Sequence, residues 1–139
     1  MANRTPIEVA AALVFRDGKL LIAQRFQEAH LGGMWEFPGG KREPGETWSA
    51  CLARELQEEL GIEVEVGSLV DEVVHDYPEK SIHLRFFACK WLRHEPRAIG
   101  CPDFRWISRA ELDNFAYPAA DDTLVRKLKT TPSLWETQG

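Results

Sequence analysis

The stretch from His30 to Leu60 constrains this chain more than any other. Between His30 and Gly45 stand Gly32, Gly33, Pro38, Gly39, Gly40, Pro44 and Gly45. No regular element of that length tolerates so many breakers, because glycine leaves the backbone unrestrained and proline removes a hydrogen-bond donor. A structured loop is expected there. From Thr47 to Leu60 the breakers vanish, and Trp48, Cys51, Leu52, Leu56 and Leu60 fall at three- and four-residue spacings before Gly61. That pattern predicts an amphipathic helix of about 14 residues with one buried stripe and a glycine stop.

The flanks read mostly as strands. Ile7 to Phe15 is a short apolar run, and Arg16-Asp17-Gly18-Lys19 carries an Asp-Gly turn signal before Leu20 to Gln24, so a β-hairpin is expected. Ile62 to Val66 alternates with period two. Val70 to Tyr77 and Ile82 to Leu92 are further strands about a Tyr77-Pro78-Glu79-Lys80 turn, and Phe104 to Ile107 is a short one. Ser108-Arg109-Ala110-Glu111 matches a capping box opening a short helix. Asp121 to Lys129 places Leu124, Val125 and Leu128 on one face of a last helix, and the polar tail Thr131 to Gly139 is expected to fray. Strands before, between and after two or three helices imply an α/β (α+β) fold in which helices cover a mixed sheet, with residues 1–139 as a single domain.

Composition limits the partners. A net charge of −5 and a pI near 5.4 exclude broad, stable binding to a nucleic-acid backbone, so a polyanionic ligand needs a local basic pocket or metal ions. Cys51, Cys89 and Cys101 are odd in number and widely spaced, which suggests reduced thiols and no zinc site. The N-terminus lacks the apolar region of a signal peptide and no apolar run nears the ~20 residues of a membrane span, so a cytoplasmic protein with no membrane association is expected. Monomer and homodimer both remain open.

On the predicted helix Glu55, Glu58 and Glu59 sit at i, i+3 and i+4, with Arg54 at the edge of the same face. Three like charges at that spacing repel one another, and helix stability requires none of them. Either they are a solvated face or they await a hard cation such as Mg²⁺, which takes oxygen ligands and keeps waters and substrate phosphates in its shell.

The full segment Gly40 to Ile62 fits G-x5-E-x7-R-E-U-x-E-E-x-G-U, with U aliphatic, at all nine specified positions. This is the Nudix box, and the chain resembles the Nudix hydrolases. The resemblance implies the Nudix fold, Glu55, Glu58 and Glu59 as metal ligands with the Gly39 carbonyl beside them, and Arg54 paired with Glu46 in support of the catalytic Glu55 and Glu58. Mg²⁺ is the implied cofactor, with Mn²⁺ a possible substitute. No P-loop, G-x-S-x-G or H-E-x-x-H motif competes.

Beyond the box, Arg25, His30, the run Trp35 to Lys41, Trp106 and Tyr117 to Asp121 resemble the MutT branch, over roughly residues 7 to 129. That likeness implies cleavage of (d)NTP to (d)NMP and pyrophosphate, with 8-oxo-dGTP the favoured small-molecule substrate. It also implies Arg25 as a phosphate contact and His30, Glu36, Phe37 and Lys80 as walls of a nucleoside pocket. Against these stand blander readings: Arg25 as a surface arginine, and Trp35 and Phe37 as core. Two positions depart from the MutT pattern. Asp121 replaces a base-reading Asn; ionised, it would only accept hydrogen bonds, from guanine, 8-oxoguanine or cytosine donors. The related CTP and modified-dCTP pyrophosphohydrolases resemble this chain in having Asp there, which makes a cytosine nucleotide the alternative substrate, while a blander reading has Asp121 capping the last helix. Gly100 stands where relatives carry a catalytic Glu, which leaves the general base open among Asp103, Glu55 and Glu58 and raises the alternative of a nucleotide sensor without turnover.

Overall fold

The computed structural model describes residues 5–136. Its strands are β1 (Ile7–Arg16), β2 (Lys19–Gln24), β3 (Trp35–Glu36), β4 (Gly39–Lys41), β5 (Glu63–Asp76), β6 (Ser81–Arg93) and β7 (Phe104–Ile107), and its helices are α1 (Trp48–Leu60) and α2 (Asp122–Thr130). All seven strands join one mixed sheet of path β3-β2-β1-β6-β5, with β4 paired to β1 and β7 to β2. The expected hairpin forms, turning through Asp17 and Gly18 at φ of 53° and 74°. β1 then runs parallel to β6 from Ile7↔Ile82 to Phe15↔Lys90.

β1 explains the layering. It is buried on both faces, so its apolar run is continuous, as the interior strand of a covered sheet requires. Ala10, Ala12 and Val14 face a core built with Leu52, Leu56 and Leu60 of α1. Ala11, Leu13 and Phe15 face the opposite core, with Leu124 and Leu128 of α2 and Leu112 of the 3₁₀ segment Arg109–Asn114. The expected sheet between helices is therefore observed. Among the described residues no helix is long and apolar enough to cross a membrane.

Three expectations need correction. The breaker-rich loop contains two short strands, because Gly39 lets the chain press against β1: a Cβ there would stand 1.9 Å from the Ala10 carbonyl oxygen. The strands expected at 62–66 and 70–77 are one element, β5, kept in pairing with β6 by register shifts around Gly67 to Val70 that absorb the extra residues. The tail is not frayed through its described part. Pro132–Glu136 forms a 3₁₀ turn that buries Trp135 against Phe15, its indole Nε1 donating to the Leu128 carbonyl at 3.0 Å.

Candidate active site

α1 begins at Trp48 because Thr47 caps it, its hydroxyl accepting from the Ala50 amide at 3.0 Å. It ends at Gly61, which takes the left-handed conformation at φ 69° and donates to the Gln57 carbonyl. With Cys51, Leu52, Leu56 and Leu60 fixed inward, Glu55, Glu58 and Glu59 are carried beside β4 and the loop before β7.

Arg54 organises this surface. Its guanidinium donates to both carboxylate oxygens of Glu46, at 2.7 and 2.9 Å, so the expected ion pair is present and bidentate. The same group reaches Glu55 at 2.9 Å, Glu58 at 3.3 Å and the Lys41 carbonyl at 3.3 Å. These hydrogen bonds from Arg54, then one from the Glu43 amide, hold the Glu46 carboxyl down at about 2. Glu55 lies flush against the loop: a Cβ on Gly40 would fall 2.2 Å from its carboxyl carbon. Burial raises its pKa above the usual carboxylate value.

Glu59 is the oxygen donor most in need of a partner. Its Oε1 is buried with no hydrogen bond, and burial, then the charges of Glu36 and Glu55, push its pKa up to about 8. The three glutamates do not converge by themselves: among the described residues no group of three His, Cys, Asp or Glu is assembled as a metal cage. Arg54 bridges Glu55 and Glu58. The donors nonetheless suit a hard divalent ion, being carboxylate oxygens with one left orphaned.

The loop that carries Gly100 is pinned to the helix. Residues 97–100 lie along the end of α1: the Arg97 amide donates to the Leu60 carbonyl and those of Ile99 and Gly100 donate to the Glu59 carbonyl. A Cβ on Gly100 would stand 3.2 Å from the Glu59 Cα, so this backbone closes on the helix where a side chain would need room. Asp103 holds one carboxylate oxygen in place, its Oδ1 accepting from the Phe104 amide and the Arg105 guanidinium, both at 2.8 Å.

Next to the box, sharing Gly40 and Lys41 with it and lined also by Gly39, opens a cleft of about 230 Å³. Its walls bring together Arg25, His30, Glu36, Phe37, Lys80 and Asp121, all six residues expected in the substrate pocket. Arg25 is no free surface arginine: it donates to Glu36 and to the His30 carbonyl, each at 2.6 Å. Phe37 serves both readings, stacked on Tyr117 at 5.7 Å within the core while lining the cleft. Trp35 packs edge-on to Phe115 outside it.

Asp121 is only 5 % exposed and stands at the N-cap position of α2, where its side chain makes no capping hydrogen bond. Burial, then the nearby Glu36 charge, raises its pKa to about 8. Burial thus favours its neutral form, which has one donor and one acceptor, over the accept-only carboxylate expected of an ionised Asp. Tyr77 was not singled out in the sequence. It follows directly after β5, lines the cleft and accepts from the Ala120 amide at 3.2 Å.

The NUDIX domain family model matches residues 9–127. The chain belongs to the Nudix family. It is 46% identical over 88 residues to the 8-oxo-dGTP diphosphatase of Proteus vulgaris, a match spanning 63% of this chain and 79% of that protein. It is 50% identical over 78 residues to the CTP pyrophosphohydrolase of Escherichia coli, covering 56% and 58% of the two chains. The solution structure of the E. coli ORF135 protein superposes with a TM-score of 0.79 at 36% identity, over 94% of this chain and 91% of that one. The chain is thus a MutT-like Nudix hydrolase, and the box, the helix and the sheet around them are the family's.

Proposed function

We propose that this hydrolase cleaves nucleoside triphosphates, (d)NTP + H₂O giving (d)NMP and pyrophosphate, with 8-oxo-dGTP the preferred substrate and Mg²⁺ the working ion. The observation that carries this reading is the adjacency of two unlike surfaces: a carboxylate helix for the phosphates and, across Gly39 to Lys41, a cleft lined by the buried Asp121. Proteins named 8-oxo-dGTP diphosphatase are among the chain's relatives.

In this reading Glu55, Glu58 and Glu59, with the Gly39 carbonyl, hold the divalent ion. When bound, the ion supplies charge neutralisation at the phosphate oxygens and a more acidic water. Arg54, fixed by Glu46, orients Glu55 and Glu58. Either carboxylate, or Asp103 from the loop before β7, takes the proton of the attacking water, and Gly100 offers no side chain for it. Phosphoryl substitution depends mainly on positioning and charge, so a protein nucleophile is not required.

For the base, neutral Asp121 offers an O–H and a C=O. The N7–H and O6 edge of 8-oxoguanine matches that pair, whereas unmodified guanine presents two acceptors there. A cytosine edge also carries one donor and one acceptor. The CTP pyrophosphohydrolase relative makes it the second reading. Incubating the protein with 8-oxo-dGTP, dGTP, CTP and 5-methyl-dCTP in Mg²⁺ or Mn²⁺ separates them. The highest kcat/KM falls on 8-oxo-dGTP if the first reading holds and on a cytosine nucleotide if the second does. The reading places the enzyme in the cytoplasmic nucleotide pool.

A further inference from the structure

Three walls of the cleft meet at Tyr77. Its backbone closes the β5–β6 turn on Lys80: the Tyr77 amide donates to the Lys80 carbonyl at 2.8 Å, and the Lys80 amide donates to the Tyr77 carbonyl at 3.3 Å. Its buried ring packs edge-on against His30 of the β2–β3 loop, at 5.0 Å and 81°, and against His75 at 4.5 Å. Its hydroxyl reaches the third wall, the 3₁₀ turn Ala119–Asp121, where it accepts from the Ala120 amide at 3.2 Å. That bond meets a local need, because the first amides of a helical turn have no acceptor behind them within it. The Asp121 amide finds the Pro118 carbonyl at 2.9 Å, and the Tyr77 hydroxyl supplies the acceptor for Ala120. The peptide units on both sides of Ala120 are thereby fixed. The next side chain is Asp121, which is buried, lines the cleft and makes no capping bond of its own, so the backbone decides where its carboxyl stands.

We infer that the Tyr77 hydroxyl is a positioning group for substrate selection: by holding the Ala120 amide it sets where Asp121 meets the nucleobase. A phenyl ring would pack against His30 and His75 equally well, so the packing does not require the oxygen. What the oxygen adds is the tie from the β5–β6 turn to the residue before Asp121. Without it the Ala120 amide is a buried donor lacking an acceptor, and the 3₁₀ turn must shift to find water or another partner. This inference rests on the proposal that a nucleotide occupies the cleft, but the state of the Ala120 amide can be read without any nucleotide.

The test compares Tyr77→Phe with wild type in the full chain. With ¹⁵N labelling, hydrogen exchange of the Ala120 amide is expected to quicken at least about tenfold in the variant, as a buried donor loses its partner. The preference for the best substrate of the nucleotide panel over dGTP, as a ratio of kcat/KM values, is expected to fall about tenfold through KM, with kcat on the best substrate within about twofold. Tyr117→Phe is the matched control: its hydroxyl donates to the Leu112 carbonyl at 3.1 Å and it is not a wall of the cleft. It should lose a similar amount of thermal stability and keep the preference. In an Asp121→Ala background, adding Tyr77→Phe should change the preference by less than about twofold, because a group acting through Asp121 has nothing left to position. An unchanged Ala120 exchange rate or an unchanged preference in Tyr77→Phe overturns the inference, as does an equal fall in Tyr117→Phe or a full further fall in the Asp121→Ala background. A wild type that hydrolyses no nucleotide overturns the proposed function and the inference with it, whereas turnover indifferent to Tyr77→Phe overturns the inference alone.

Discussion

At the scale of the residue, the account turns on side chains whose charge the fold has altered. Asp121 is the clearest. The unfolded chain releases its proton near the ordinary value of 3.8, whereas the folded chain holds it to about 8, so across that interval the native state binds more protons. Stability from this residue therefore falls as pH rises from about 4 to 8. Asp121→Asn keeps a donor and an acceptor without the ionisation. We expect it to be more stable than wild type at pH 8 by about 1–3 kcal/mol, and to differ little at pH 4, as thermal melts at both pH values would show. Glu46→Gln removes one arm of the bidentate grip on Arg54 without touching substrate. It should lower kcat by about 10- to 100-fold with a smaller change in KM, the range found when a partner of a metal ligand is lost. The identities of both residues were legible in the sequence. The protonation of Asp121 was not, because it depends on burial and on a glutamate 85 positions away in the chain.

At the scale of the element, two adjacent glycines in β4 separate stability from activity. A methyl group at Gly39 would strike the Ala10 carbonyl of β1, which is backbone and cannot yield. A methyl group at Gly40 would strike the Glu55 carboxylate, the end of a flexible side chain. Gly39→Ala is thus expected to lower the melting temperature sharply. Gly40→Ala should melt near the wild type yet lose most of its turnover, as parallel melts and assays would reveal. Helix α1 and its caps were readable from spacing, since Thr47, the leucine stripe and Gly61 each act locally. β3 and β4 were not, because their pairing is decided by β1 and β2, far away in sequence, and glycines read as breakers turned out to permit close approach.

At the scale of the whole molecule, the sheet holds two unlike cores, and the C-terminal segment closes one of them. Trp135 fills the space beside Phe15 and ties the end of the described chain to α2. Trp135→Ala should cost about 3–5 kcal/mol by leaving a cavity, measurable by denaturant unfolding, even though the residue lies in a tail whose polar composition suggested fraying. The box carried the reaction class in nine fixed positions, but the specificity cleft is assembled from six separate stretches of chain. Resemblance could nominate its residues, and only the fold shows them on one wall. The central claim is that the carboxylate helix and this cleft act on one nucleotide. Product analysis of 8-oxo-dGTP incubated with Mg²⁺ and the wild-type or Glu58→Gln protein tests it most directly. The account predicts 8-oxo-dGMP and pyrophosphate from the wild type and at least about a hundredfold less from the variant; orthophosphate with a nucleoside diphosphate, or equal turnover by both proteins, would contradict it.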